Sequence, residues 1–157
     1  MAFRKETIRQ QFSDALAPVL DPGERVVAAG YAVSGPSPWL TGALGIVLML
    51  ALGMRYFYVA VTDRRVLLMK ASLMTQKPKG LALAFPVTAV KVAAVNRAGV
   101  WSNLKLQPPS GKQMRLNFHR IWREEMDQVA KAIGSGNRAG GGERSAPPIV
   151  PPPPQQP

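Results

Sequence analysis

The 157-residue chain is long enough for a single domain, and its net charge of +11 and its lack of cysteine limit what that domain can do. Without cysteine, disulfides, thiolate metal sites and thiol catalysis are all excluded. The excess charge lies in the later part of the chain, because 16 basic and five acidic residues occur from Arg55 onward. A basic region of this kind fits anionic lipid headgroups or nucleic acid. Since the sequence shows no helix-turn-helix, RNP-type or zinc-finger pattern, we rank nucleic acid well below lipid.

Residues 1–20 are predicted to form an amphipathic helix. Its apolar side chains recur near one face at Phe3, Ile8, Phe12, Leu16 and Val19. The turn residues Asp21, Pro22 and Gly23 then end the helix. We expect this helix to pack on its own domain, and the alternative is an interfacial helix that lies on a membrane.

A charge-free stretch from Val26 to Met54 contains the most apolar segment of the sequence, Trp39 to Met54. The residues predicted to anchor the chain in a membrane are Trp39, Leu40, Leu44, Ile46, Val47, Leu48, Leu50, Leu52 and Met54. As a helix, the 16 residues from Trp39 to Met54 would extend roughly 24 Å, which is short of the ~30 Å hydrocarbon core of a bilayer. Three alternatives stay open: a span lengthened by neighbouring residues, a shallow re-entrant hairpin bent near Gly42 or Gly45, and a buried helix in a soluble domain or at a subunit contact.

The rest of the pattern predicts a mainly β domain of class β+α. Seven strands are expected at residues 25–33, 56–62, 65–71, 80–85, 89–96, 100–106 and 112–118. A helix over Arg120 to Ile133, with Gly134 as its stop, places Trp122, Met126, Val129 and Ile133 on one stripe. We therefore predict a seven-stranded barrel or sandwich closed by this helix, over residues 24–134 and with the apolar insertion 39–54 after the first strand. The Gly/Pro-rich tail, residues 135–157, is predicted to be disordered.

Two segments carry a family resemblance. The stretches YVAVTDRRVLLM (Tyr58 to Met69) and GKQMRLNF (Gly111 to Phe118), followed by an amphipathic helix, resemble the bacterial pleckstrin-homology-like domains, in which a strand ends in a T-D-x-R turn. The motif residues here are Thr62, Asp63 and Arg65. The resemblance implies a pleckstrin-homology-like barrel close to a membrane, and it implies no particular activity. The loop that holds the phosphoinositide site in eukaryotic pleckstrin-homology domains is here the apolar insertion, so inositol-phosphate binding is not carried over.

The position of the apolar segment constrains its topology. If the first strand pairs with later strands, both ends of the segment lie on the same side of a bilayer. A single span is then excluded, and a hairpin reaching about 12 Å per arm remains. If the first strand stays outside the barrel, the segment can span, with the basic part in the cytoplasm by the positive-inside rule. We predict a protein of the cell membrane whose basic domain faces the cytoplasm, with a cytoplasmic protein as the alternative.

The residues able to carry out chemistry are few. His119, the single histidine, is predicted to serve as a cap or to lie at the surface. Asp63 is expected to hydrogen-bond the backbone of its own turn. Glu124, Glu125 and Asp127 are expected on a solvated helix face, so they do not form an acid-base pair. We predict no catalytic residue, no metal, no cofactor and no enzymatic activity.

The predicted anionic-lipid or ligand surface is a set of basic residues: Arg55, Arg64, Arg65, Lys70, Lys77 and Lys79. The proline-rich residues 146–157 favour polyproline II, either as a disordered end or as a docking peptide for an aromatic-lined groove. The predicted function is a membrane-associated, non-catalytic binding or scaffolding module whose partners are membrane lipids, with no small-molecule substrate evident. The alternatives are a soluble domain that oligomerises or binds a protein through the apolar segment, and a basic nucleic-acid-associated protein.

Overall fold

The computed structural model describes residues 2–35, 53–72, 75–109 and 111–141. In these residues the chain forms two α-helices and seven strands: α1 (Ala2–Leu16), β1 (Val26–Ser34), β2 (Arg55–Thr62), β3 (Arg65–Ala71), β4 (Pro78–Pro86), β5 (Lys91–Asn96), β6 (Trp101–Gln107), β7 (Met114–His119) and α2 (Arg123–Gly141). Short 3₁₀ turns follow α1 and β4 and precede α2. The predicted mainly β class, with an N-terminal and a C-terminal helix, is confirmed.

The strands form one antiparallel sheet in the order β4-β3-β2-β1-β7-β6-β5. β1 pairs with β2 along its length, but with β7 only at Val33 and Ser34. The sheet curls so that side chains of its two halves face each other, because Val66 and Leu68 of β3 line the same small cavity as Leu106 of β6. This curled sheet with a closing helix is the pleckstrin-homology-like arrangement that the sequence predicts.

Helix α2 covers the core through the predicted apolar stripe. Trp122, just before the helix, and Met126, Val129 and Ile133 within it are all buried. Gly30 of β1 permits the close approach, since a Cβ atom there would lie 3.0 Å from the ring of Phe118 and 3.4 Å from the Cβ of Glu125. The helix therefore seats directly against the central strands.

Helix α1 packs on the domain, as expected. Phe12 and Leu16 are buried, and the ring of Phe12 stacks on that of Tyr58 with centroids 4.7 Å apart. The side chain of Phe3 lies outside the described residues. The preferred prediction of a helix packed on its own domain is confirmed.

Glu125 does not lie on a solvated face, so that part of the prediction is wrong. The residue is 4% exposed, and its carboxylate pairs with Lys5, 2.6 Å away, and with Arg9 of α1. Burial raises the pKa of Glu125, but the hydrogen bonds from Lys5 and Arg9 outweigh that effect and hold the pKa below its usual value. The periodicity of α2 did not reveal this burial, because the partners lie on another helix. Glu124 is exposed as predicted, and Asp127 pairs with Arg97 at 2.9 Å.

The predicted helix stop at Gly134 is also wrong, because α2 continues to Gly141. A glycine inside a helix costs only about 1 kcal/mol, which packing can offset. A Cβ atom on Gly136 would lie 2.7 Å from Cγ2 of Val87, so this glycine allows the helix to approach the turn after β4. Residues 142–157, the rest of the predicted disordered tail, lie outside the described residues.

Substituting Gly136 tests this close contact. We expect Gly136→Ala to destabilise the fold by about 1 kcal/mol, because overpacking against the stiff Val87 side chain exceeds the gain in helix propensity. Gly134→Ala is the matched control, since no atom lies within 4 Å of a Cβ placed there. Urea unfolding should show the control equal to or more stable than the parent. Equal behaviour of the two variants would contradict the packing role of Gly136.

Candidate functional site

The two ends of the apolar insertion lie side by side in the sheet. Ser34, the last residue of β1, pairs with Arg55, the first residue of β2. A segment that crossed a bilayer once would leave these two residues about 30 Å apart, so the condition for a single span is not met. The predicted anchoring residues from Trp39 to Leu52 lie outside the described residues, whereas Met54 is buried against Gly35. Among the described residues, the helices are too short or too polar to traverse a membrane.

The structure brings four of the six predicted basic residues to the same end of the sheet. Arg55 begins β2, and Lys70 is opposite Phe57 near the end of β3. Lys77 immediately precedes β4, and Lys79 is its second residue, at an irregularity in the pairing with β3. All four are exposed. We call Arg55, Lys70, Lys77 and Lys79 the basic end, and it adjoins the point where the apolar insertion leaves and re-enters the sheet.

Arg64 and Arg65 lie at the opposite end. β2 separates them from Arg55 by eight residues, which is roughly 26 Å along the strand. Arg64 is exposed in the turn between β2 and β3. The predicted basic surface is thus divided into two parts.

Arg65 is held by an ion pair with the protein itself. Its Nη2 atom lies 2.5 Å from Oε2 of Glu24 and 3.3 Å from Oδ2 of Asp21, and it also donates to the carbonyl of Val19. The motif arginine therefore ties the segment between α1 and β1 to the β2-β3 turn.

Thr62 and Asp63 complete this motif in different ways. The Thr62 hydroxyl accepts hydrogen bonds from the backbone N–H groups of Arg64 and Arg65, and donates to Oε1 of Glu24 at 2.6 Å. The sequence predicts that Asp63 bonds the backbone of its own turn, whereas in the structure its carboxylate accepts a hydrogen bond from the backbone N–H of Arg25 at 3.1 Å. The residues of the T-D-x-R turn thus hold the β2-β3 turn to the segment between α1 and β1 through a cluster of hydrogen bonds and an ion pair.

Glu24 is the centre of this hydrogen-bonded cluster. Its side chain is buried, and its pKa is lowered to about 2, chiefly by the hydrogen bond from Arg65, against the opposing effect of burial, and then by the bonds from Thr62 and the Asp21 backbone. In the sequence, Glu24 is one acidic residue among several near the N-terminus. Its position just before a strand offers no sign of a partner 41 residues away.

Near the basic end, the structure forms a pocket that no pattern in the sequence predicts. The pocket has a volume of about 360 Å³, and its aromatic lining residues are Tyr31, Tyr56, Trp101, His119 and Trp122. Tyr31 stacks on Tyr56 with centroids 5.7 Å apart, and the Lys5 ammonium lies 5.1 Å above the Trp122 ring. These residues come from α1, β1, β2, β6, β7 and the turn before α2, so no local pattern could reveal that they meet.

His119 has the predicted capping role. Its Nδ1 accepts a hydrogen bond from the backbone N–H of Ile121 at 3.4 Å, at the start of the 3₁₀ turn before α2. Its imidazole meets the edge of Trp101 with ring centroids 5.2 Å apart. Burial, and then the charge of Arg120, lowers its pKa, which favours the neutral ring.

No protein-family model matches the sequence, and no curated protein matches it. A crystal structure of a DUF1696 family protein with a pleckstrin-homology domain from Shewanella loihica PV-4 is similar over 82% of this chain and 92% of its own, at 13% identity and a TM-score of 0.45. The hSac2 domain from human phosphoinositide phosphatase Sac2 is similar over 96% of each chain, at 10% identity and a TM-score of 0.51. At 10% identity, the likeness to the hSac2 domain is one of fold alone.

Proposed function

We propose that this protein is a membrane-associated, non-catalytic binding or scaffolding module. The apolar insertion holds it at the cell membrane as a shallow hairpin, and the basic end faces anionic headgroups on the cytoplasmic side. The observation that carries the proposal is the convergence of Arg55, Lys70, Lys77 and Lys79 at the place where residues 36–52 join the sheet.

The paired ends of the insertion support a hairpin rather than a crossing. Because Ser34 and Arg55 are neighbours, the segment must leave and return at one point. A hairpin with two helical arms of about eight residues would reach only ~12 Å, the depth of the headgroup and upper acyl region. Lysine and arginine next to such a segment add electrostatic attraction to anionic lipids.

A loop replacement tests the anchor without disturbing the sheet. Residues 36–52 are exchanged for a short Gly/Ser linker, and Gly35, Gly53 and the buried Met54 are kept. Because Ser34 and Arg55 are already paired, the linker closes an ordinary hairpin. Circular dichroism and thermal unfolding then verify that the variant folds.

Membrane fractionation distinguishes the outcomes. We expect the full-length protein to remain in the pellet after high-salt and carbonate washes, and the linker variant to be released by high salt alone. If both proteins stay in the soluble fraction and only the full-length chain forms oligomers, the proposal fails and the insertion is a subunit contact. Salt-dependent retention on DNA by both, without lipid binding, would instead indicate the nucleic-acid alternative.

A further inference from the structure

The pocket beside the basic end has the chemistry of a site for an extended proline-rich chain. Its walls include the rings of Tyr56, Trp101 and Trp122, and Ile121, which is 45% exposed, adds an apolar rim. Aromatic-lined grooves recognise polyproline II because flat rings pack on pyrrolidine rings and the peptide is already ordered. The volume of about 360 Å³ lies at the small end of ligand sites, and so suits a few residues of peptide.

The polar groups of the pocket favour an uncharged occupant. Gln76 and His119 also line it, and amide and imidazole N–H groups can donate to the carbonyls of a proline tract. The cation at this site, Lys5, is engaged by Glu125 at 2.6 Å and by the carbonyl of Ile121 at 2.8 Å. An anionic ligand would have to compete with that buried carboxylate for the ammonium group.

The chain itself contains a segment of the required chemistry. Residues 142–157 lie beyond the described part and include four consecutive prolines, Pro151 to Pro154. α2 begins at Arg123, directly after the pocket residue Trp122, and extends over 19 residues, roughly 28 Å. A polyproline chain covers about 3.1 Å per residue, so about nine residues after Gly141 are needed to return to the pocket. That reach brings Pro151–Pro154 to the aromatic rings, whereas Pro147 and Pro148 fall short.

We propose that Pro151–Pro154 dock in this aromatic pocket of the same chain. The tether supplies an effective concentration in the millimolar range, so a segment whose intrinsic Kd is about 1 mM is already substantially docked. Docking of the tail excludes other ligands from the pocket, which lies next to the basic end. The proline-rich tail is thus a built-in competitor for whatever binds there.

The test compares full-length proteins whose tails have equal length. In one variant, Pro151, Pro152, Pro153 and Pro154 are all replaced by serine; in the matched control, Pro147 and Pro148 are replaced. The readout is the indole N–H signals of Trp101 and Trp122 in ¹⁵N NMR spectra, assigned with Trp101→Phe and Trp122→Phe. We expect the tetraserine variant to shift both signals and the control to leave them unchanged.

A peptide of residues 146–157 completes the test. Added to the tetraserine variant, it should return both indole signals toward their parental positions. Ile121→Asp at the exposed rim should weaken this binding at least tenfold without unfolding the protein. The proposal is overturned if the tetraserine variant is folded and both signals are unmoved, if the control shifts them equally, or if a fatty acid such as decanoate shifts them while the peptide does not.

Discussion

Glu24→Gln is expected to lower the free energy of unfolding by about 3 kcal/mol, because it leaves the Arg65 guanidinium without its buried counter-charge. For a domain of this size, that loss corresponds to a fall in Tm of roughly 10 °C. The substitution also weakens the acceptor of the Thr62 hydroxyl, and hence the link from α1 to the β2-β3 turn. Differential scanning calorimetry or thermal circular dichroism measures the effect.

The same substitution has a predicted pH dependence. The pKa of Glu24 is about 2 in the folded protein, compared with an ordinary value of 4.5. A group with a depressed folded pKa stabilises the protein above its unfolded pKa and loses that contribution as the pH falls toward its folded pKa. The difference in stability between the parent and Glu24→Gln should therefore be constant above about pH 5 and shrink between about pH 4.5 and pH 2.

Glu124→Gln is the matched control for both measurements. It makes the same change in charge at an exposed position of α2, and surface substitutions of this kind usually stay within about 0.5 kcal/mol. Equal melting temperatures for Glu24→Gln and Glu124→Gln would show that the contacts of Glu24 with Thr62 and Arg65 do not stabilise the fold.

Neutralising Lys70, Lys77 and Lys79 together is expected to weaken binding to anionic vesicles by roughly a hundredfold. Each basic residue near an anionic surface contributes about 1 kcal/mol, and these three flank the insertion at the basic end. Co-sedimentation of the triple glutamine variant with vesicles of zwitterionic lipid plus about one-third anionic lipid gives the partition coefficient. The loss should fade at about 1 M salt, where the Debye length is only ~3 Å.

The control for this experiment removes three positive charges elsewhere. Arg25, Arg64 and Lys131 are exposed, and Arg25 and Arg64 lie at the opposite end of the sheet from the basic end. Their replacement by glutamine changes the net charge equally, so it should cost much less binding if position matters. If both triple variants lose the same affinity, overall charge rather than the basic end governs membrane binding.

The sequence alone determined the elements of this protein because their signals are local. The continuous apolar runs of residues 56–62 and 65–71 lead directly to β2 and β3, because they are short and lie on either side of a turn. The stripe Trp122, Met126, Val129 and Ile133 leads to α2 in the same way, since burial of one helix face is decided by spacing along the chain. The packing of α1 followed from Phe12 and Leu16 in the same way. With the T-D-x-R turn, these signals were sufficient for the fold class.

Tertiary structure alone decided which charged and aromatic residues meet. The sequence predicts Arg65 to be one of a set of surface cations, yet the fold pairs it with Glu24. It likewise predicts Glu125 to be solvated, whereas α1 packs Lys5 and Arg9 against its carboxylate. The aromatic pocket likewise depends on rings from separate elements. Such contacts join residues far apart in the chain, and their free energy depends on burial and geometry that only the packed sheet and helices create.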